Sequence, residues 1–376
     1  MPKNLDARAR ARRELVAGAA ALAAGAALAP VPGPARAQPQ PQGGPLAVAF
    51  VYVGPVSDAG WTTQHDRGRL QMEKALAGRV RTTFVEKVAE GADADRVIRD
   101  LAAQGNRLIF TTSFGYMDPT IRVARQFPNV VFEHATGYKS ARNVGTYNAR
   151  FYEGRYLAGM VAGRMTRTNV AGYVAAFPIP EVLQGINAFT MGMRAVNPKA
   201  EMKVVWVNSW YDPGRERDAA NTLMNQGADV VTHHTDSTAT VSAAEEKGRY
   251  AIGYHSDMSR FGPKAHLTAV SHHWGDYYTR VALAVIEGRW KPSGVWGGIA
   301  DGFIKLEPFN PAVPADVQKE VRAREAEIAA RRFHPFSGRI VDNEGKVVQE
   351  SGTMIDELLN RMDYYVQGVQ GQLPKK

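Results

Sequence analysis

The chain has 376 residues, of which 44% are hydrophobic and 22% charged, and it contains no cysteine. These values exclude an intrinsically disordered polymer, a disulfide-rich miniprotein, a zinc-ribbon protein and a protein with many membrane spans, and the length predicts two globular domains. The formal net charge is +9, but six basic and two acidic side chains within the first 37 residues contribute four of those charges. Because the remainder has no basic stripe with interleaved aromatic residues, we expect no nucleic-acid partner.

A targeting segment is predicted at the N-terminus. Residues 3–13 are rich in basic side chains, residues 15–29 form a run of Ala, Leu, Gly and Val, and Ala35-Arg36-Ala37 provides a small-x-small site. This pattern is typical of a cleaved export signal over residues 1–37, with a retained anchor as the alternative. The Arg pair at 12–13 leaves both the twin-arginine route and the ordinary unfolded route open. Because the chain has no cysteine that could carry a lipid, we expect the protein to be cleaved near Ala37 and to diffuse freely in the periplasm. Residues 38–45, which follow the cleavage site, are predicted to be a disordered spacer.

From residue 46 onward, short β-branched or aromatic runs alternate with segments of helical period. This alternation is the pattern of a parallel sheet with crossover helices, and it predicts a first lobe over residues 46–167. The predicted strands are 46–53, 80–85, 108–112 and 130–133, and the predicted helices are 63–76, 93–104, 119–127 and 152–165.

The same pattern then starts again and predicts a second lobe over residues 168–273. Its strands are predicted at 170–176, 203–207, 229–233 and 250–254, and its helices at 180–196, 214–226 and 237–247. Residues 274–376, with helices at 276–287 and 314–332 and a hairpin turn at 342–345, are expected to be shared between the lobes. The predicted fold class is therefore α/β, with two similar lobes, each a parallel sheet flanked by helices, and a ligand cleft between them.

Sequence motifs for catalysis do not occur. There is no G-x-S-x-G elbow, H-E-x-x-H helix, G-x-G-x-x-G turn or phosphate-binding glycine loop. The pairs His233-His234 and His272-His273 are poor chelates, because adjacent residues of a strand point to opposite faces. We therefore expect no metal, no cofactor and no enzymatic activity, with a carboxylate-dependent hydrolase as the alternative.

Aromatic and polar side chains follow the predicted strands of both lobes. Ligands of open α/β sheets bind at the carboxyl ends of the strands, so these residues are candidates for a binding site. There are eight candidates, namely Trp61, Gln64, Tyr116 and Asp118 in the first lobe and Trp210, Asp236, Asp257 and His273 in the second. A Trp from each lobe with carboxylates and amides nearby suits a flat heteroaromatic molecule. Asp118 and Asp236 have helix capping as an alternative role.

At these positions the sequence resembles the basic membrane protein family of periplasmic substrate-binding proteins for ABC transporters. The resemblance runs from about residue 46 to residue 290. It rests on seven ordered segments: DAGWTTQ at 58–64, TSFGYMD at 112–118, FEHATGYK at 132–139, NARFYEGRYLAG at 148–159, VNSWYDP at 207–213, GADVVTHHTDSTA at 227–239 and SDM at 256–258. The resemblance implies a type I periplasmic binding fold, which closes on one ligand, and purine nucleosides or nucleobases as the commonest ligands.

The resemblance also implies roles for individual residues. Trp61 and Trp210 occupy the positions of aromatic residues that stack on the base, Asp118 matches an acidic position at the base edge, and Asp257 matches one that holds ribose hydroxyls in nucleoside binders. Nucleoside-binding members have a Lys near the position of His273, and this sequence has none between residues 271 and 274. Because a donor to the ribose is lost, we favour a free base such as adenine over a nucleoside.

The predicted function is that of a monomeric periplasmic receptor, which captures a purine-like molecule between its lobes and delivers it to the permease subunits of an ABC importer. Three alternatives remain open at this point: a nucleoside binder of the same class, a ligand-dependent sensor and a periplasmic nucleoside hydrolase.

Overall fold

Two six-stranded sheets form the frame of the protein, which a computed structural model describes for residues 44–57 and 59–374. The strands are β1 (Leu46–Val51), β2 (Val80–Val85), β3 (Leu108–Thr111), β4 (Val131–Ala135), β5 (Val144–Ala149), β6 (Val170–Ala175), β7 (Glu201–Trp206), β8 (Val230–His233), β9 (Tyr250–His255), β10 (His266–His272), β11 (Gly294–Gly297), β12 (Ile304–Leu306), β13 (Ile340–Val341) and β14 (Val347–Gln349). The first sheet has the order β11-β5-β4-β3-β1-β2 and the second the order β12-β10-β9-β8-β6-β7. All neighbours are parallel except β10 and β12, so the expected α/β architecture with two parallel sheets is confirmed.

Helices cover both faces of each sheet. They are α1 (Trp61–Ala75), α2 (Ala92–Ala103), α3 (Met117–Gln126), α4 (Phe151–Met165), α5 (Pro180–Val196), α6 (Pro213–Asn225), α7 (Ala239–Glu246), α8 (Gly275–Ile286), α9 (Ala315–Ala329) and α10 (Asp356–Leu359). Buried residues of α2 and α3 form one core with the first sheet, and those of α6 and α7 form another with the second. A third core joins α1, α4, α5 and α8 to the opposite faces of both sheets. No helix in the described ranges is long and apolar enough to cross a membrane.

The chain passes between the two sheets three times. The passages lie at residues 149–151 before α4, at 272–275 before α8, and at 297–304 between β11 and β12. The sequence pattern places α4 in the first lobe, residues 46–167, whereas in the structure α4 packs against α5 and the second sheet. Glycines allow this packing, because a Cβ added at Gly159 would lie 2.0 Å from the carbonyl oxygen of Phe189 and one at Gly192 2.0 Å from that of Tyr156.

Between residues 46 and 290, two strands are missing from the sequence prediction, β5 and β10. Both carry polar residues at buried positions, such as Thr146 in β5 and His272 in β10, and these break the apolar runs that mark a strand. The predicted hairpin turn at 342–345 does join β13 to β14, with Gly345 at a φ of 91°. The predicted export signal and residues 38–43 of the spacer lie outside the described residues.

The C-terminal segment, residues 333–374, fastens onto the second lobe. The amides of Gln184 and Asn187 in α5 donate to the carbonyl oxygens of Leu359 and Tyr364, each at 2.8 Å. Arg150, at the first passage between the sheets, donates to both carboxylate oxygens of Asp356 at 2.8 and 2.7 Å. The segment therefore connects α5 with the point at which the chain leaves the first sheet.

Candidate ligand-binding site

A cavity of about 410 Å³ lies between the carboxyl ends of the two sheets. It is lined by residues that follow strands in both lobes, namely Val53, Trp61, Ser113, Phe114 and Thr136 from the first and Ile179, Glu181, Trp210, His234, Asp236 and His255 from the second. Thr136 and His255 have φ values of 62° and 71°, a region that residues other than glycine adopt infrequently. Such conformations concentrate at binding sites, which agrees with the position of the cavity at the strand ends.

Trp61 begins α1 and its indole is held on two sides. Its Nε1 donates to the carbonyl oxygen of Thr112 at 2.7 Å. Its ring meets His65 edge to face at 4.3 Å between centroids and His255 at 5.7 Å. Since His65 belongs to the first lobe and His255 to the second, Trp61 packs against both lobes.

Trp210 enters the cavity from the second lobe, after β7. Its Nε1 donates to Oε1 of Glu90 in the first lobe at 3.1 Å, and its ring packs against that of Phe177 with centroids 4.9 Å apart. Glu90 also accepts from the backbone N–H of Gly115 at 2.9 Å and from the hydroxyl of Ser113 at 2.5 Å. Each lobe thus contributes one tryptophan with a fixed orientation.

Asp236 caps a helix of the opposite lobe. Helix α1 starts after Gly60, which offers no side chain, and the backbone N–H of Trp61 donates to Oδ1 of Asp236. Thr62 contributes further hydrogen bonds to this carboxylate; burial raises the pKa of Asp236, and these hydrogen bonds oppose the rise. Gly60 must remain glycine here, because its φ is 103° and an added Cβ would lie 2.1 Å from the carbonyl oxygen of Asp236.

Glu181 and His234 form a buried polar pair on the second lobe. Oε1 of Glu181 lies 3.5 Å from Nε2 of His234, and the two side chains are 13% and 4% exposed. Asn148 of the first lobe forms a hydrogen bond with Glu181, but burial dominates and raises the pKa of this carboxyl to about 8. Burial also lowers the pKa of His234 well below its usual value. Burial therefore disfavours the charged form of both side chains.

The other polar groups of the cavity are occupied by the protein. The hydroxyl of Thr136 donates to the carbonyl oxygen of Ala135 at 2.7 Å, and Nδ1 of His255 lies 2.9 Å from Nε2 of His272. Ser113 and Asp236 have the partners described above. By contrast, Oε2 of Glu181 and Nδ1 of His234 are buried without a partner among the described residues. An unpaired buried polar atom costs about 1–3 kcal/mol, so these two atoms are the places where a ligand gains most from a hydrogen bond.

The structure brings together three of the eight predicted site residues. Trp61, Trp210 and Asp236 line the cavity, and the other five lie outside it.

The side chain of Gln64 is buried and donates to the carbonyl oxygen of His272 at 2.8 Å. Tyr116 lies in the core of the first lobe, where its hydroxyl donates to the carbonyl oxygen of Val88 at 2.5 Å. His273 bonds to the hydroxyl of Ser271 at 2.9 Å.

The two remaining aspartates face the surface. The side chain of Asp118 is 58% exposed and pairs with Lys139 at 2.7 Å. The side chain of Asp257 is 50% exposed and accepts from the backbone N–H of Ser259 at 2.8 Å, which caps a short 3-10 turn. Neither carboxylate lines the cavity in this conformation.

The sequence prediction did not include Glu181, His234 or His255, which the cavity contains. His234 directly follows β8 and His255 is the last residue of β9, so the strand-end rule that selected the other residues could have found them. Glu181 sits at the start of a helix after a proline and carries no comparable signal. Among the described residues, no group of three or more His, Asp or Glu side chains is arranged to hold a metal ion.

Comparison with known proteins identifies the family. The sequence profile of the family Bmp, described as ABC transporter substrate-binding protein PnrA-like, matches residues 46–332. A purine-binding protein of Brucella abortus is 50% identical over 331 residues, which cover 88% of this chain and 94% of that protein. A putative ABC transporter glucose-binding protein of Haloferax volcanii is 39% identical, with 87% and 81% covered.

The fold agrees with this relationship. The crystal structure of an ABC transporter solute-binding protein from Aeropyrum pernix superposes with a TM-score of 0.68 at 18% identity, covering 77% of this chain and 93% of the other. The family suggested by the seven segments is thereby confirmed, and this chain belongs to the Bmp family of ABC transporter substrate-binding proteins.

Proposed function

We propose that this protein binds a purine base, with adenine favoured, and passes it to the permease subunits of an ABC importer. The observation that carries the proposal is the position of Trp61 and Trp210, which come from opposite lobes and line one cavity. Aromatic side chains stack on nucleobases with about 1–3 kcal/mol per base.

The purine-binding relative supports this ligand class, since half of its residues are identical to those of this chain. Substrate-binding proteins of ABC transporters bind small molecules and work with permease subunits, without covalent chemistry. Closure of the two lobes converts occupancy into a shape that a permease recognises. We place this protein in the periplasm as a monomer, after cleavage of its signal near Ala37.

A purine nucleoside is the second candidate, because the cavity opens into a wider space. That space shares Phe114, Thr136, Ile179 and Glu181 with the cavity, and it leaves room for a substituent on the base. Asp257, the position that the family resemblance assigns to ribose, does not line either space. The free base therefore remains the preferred ligand.

The test begins with native mass spectrometry of protein purified without added ligand, followed by denaturation and identification of any released molecule. Isothermal titration calorimetry of the emptied protein with adenine, adenosine and glucose then ranks the candidates. We expect adenine to bind most tightly. Tighter binding of adenosine would replace the base with the nucleoside, and binding of glucose without either purine would refute the proposal.

A further inference from the structure

The buried polar atoms of the cavity that lack a hydrogen-bond partner among the described residues lie close together, on Glu181 and His234. Of its polar side chains, Ser113, Thr136 and Asp236 already have protein partners, and Nδ1 of His255 is paired with His272. Oε2 of Glu181 and Nδ1 of His234 have none among the described residues, although both atoms are buried. The remaining lining side chains are apolar or aromatic. A flat ligand held by the two tryptophans must therefore direct its polar edge towards Glu181 and His234.

We propose that Glu181 determines the specificity of this site by pairing with a ligand edge that has a hydrogen-bond donor next to an acceptor, as the amino group and ring nitrogen of adenine provide. This inference rests on the proposed function and names the group that reads the base. The carboxyl supplies the complementary pair, one oxygen accepting from the amino group and one O–H donating to the ring nitrogen.

The surroundings of Glu181 favour the neutral carboxyl that this pairing needs. The side chain is enclosed between Asn148 and His234, and His234 is itself held uncharged by burial. A neutral carboxyl has one donor and one acceptor, whereas a carboxylate has acceptors only. The burial that raises the pKa of Glu181 to about 8 agrees with this state.

The location of Glu181 also links ligand binding to closure of the two lobes. It lies in the first turn of α5 in the second lobe, while its hydrogen-bond partner Asn148 lies in β5 of the first. Pairing with the base and contact with Asn148 are therefore available together only when the lobes are close. A site that hydrogen-bonds one edge strongly rejects analogues that leave its polar atoms unpaired.

The experiment is a double comparison of ligand and protein, measured by titration calorimetry at pH 7. Adenine is compared with unsubstituted purine, which lacks the amino group, on the native protein and on Glu181→Ala and Glu181→Gln. We expect the native protein to prefer adenine at least tenfold. The preference should fall below threefold in Glu181→Ala, and the glutamine variant should restore it, because a carboxamide has the same donor and acceptor arrangement.

The matched control is Glu133→Gln, which alters another buried glutamate with a raised pKa, at about 7, that does not line the cavity. This variant should keep the preference for adenine.

Equal affinity of the native protein for adenine and purine, or an undiminished preference in Glu181→Ala, would overturn the role of Glu181 while leaving purine binding intact. Loss of the preference in both Glu181→Gln and Glu181→Ala would show that the carboxyl pairs as an anion, which also overturns the proposal. Failure of either purine to bind the native protein would instead refute the proposed function and this inference with it.

Discussion

Replacing Asp236 with alanine removes a helix cap that exists only between the lobes. The carboxylate accepts hydrogen bonds from Trp61 and Thr62 at the start of α1, and α1 has no cap from its own lobe. Loss of an N-cap costs about 0.5–2 kcal/mol. When the lobes separate, Asp236 and the start of α1 are each solvated by water. Removing the cap therefore destabilises only the closed state. At 1.4 kcal/mol per tenfold, about 2 kcal/mol corresponds to roughly 30-fold weaker ligand binding.

The matched control is Asp212→Ala. Asp212 caps α6 from within the second lobe, accepting from the backbone N–H of Arg215 at 3.0 Å. Its removal should lower the free energy of unfolding by about 1 kcal/mol and leave ligand affinity unchanged, since the cap is present in open and closed states alike. Titration calorimetry and urea unfolding measure the two quantities.

A measurement of how far the two lobes close distinguishes two roles of Asp236, a contact between the lobes and a direct contact with the ligand. Because the chain has no cysteine, spin labels can be placed through Arg96→Cys in α2 and Glu246→Cys in α7, one exposed position on each lobe. At saturating ligand, the distance distribution of Asp236→Ala should keep an open population that the native distribution lacks. A fully closed variant with weakened affinity would show that Asp236 contacts the ligand directly, and unchanged affinity would refute the reasoning altogether.

Three further outcomes follow from the geometry of the site and the burial of titratable groups. Trp61→Ala and Trp210→Ala should each weaken purine binding at least tenfold with little change in the far-ultraviolet circular dichroism spectrum, and unchanged affinity in both would remove the stacking model. Asp257→Ala should change affinity less than twofold in the same titration, because its carboxylate is outside the cavity; a tenfold loss would return it to the site. Burial holds the pKa of His134 and His266 at about 4, so the unfolded state binds protons first as the pH falls below 6.5. The free energy of unfolding should then decrease by up to about 1.4 kcal/mol per pH unit for each, and urea unfolding that is equally stable at pH 7.5 and 5 would contradict this.

The alternation of strands and helices along the chain was sufficient to predict the two parallel sheets. The passages between lobes were harder to place. Helix α4 follows the first array without a break in pattern, and only the close approach of Gly159 and Gly192 to the neighbouring backbone shows which sheet it covers. Contacts of this kind join residues that are far apart in the chain, so they produce no periodic pattern in the local sequence.

Sequence reasoning selected loops that line the cavity, and in two of them the side chain that lines it differs from the selected one. After β3, Ser113 and Phe114 line the cavity, but a 3-10 turn begins at Phe114 and directs Tyr116 into the core. After β9, His255 lines the cavity and Asp257, two residues later, faces solvent. In these two loops the cavity takes the residues nearest the strand end, because the chain turns away once the next helical turn starts.

Neither lobe is a continuous piece of chain, and this affects how the protein can be made. The first sheet receives its edge strand β11 only from residues 294–297, and the second receives β12 from residues 304–306 and the covering C-terminal segment later still. A fragment cut at the first passage would lack β11 and leave β5 as an exposed edge of the first sheet, which is a site for aggregation. During synthesis, the emerging polypeptide cannot complete either lobe until most of its length has left the ribosome, so both sheets wait for strands from the last third of the chain.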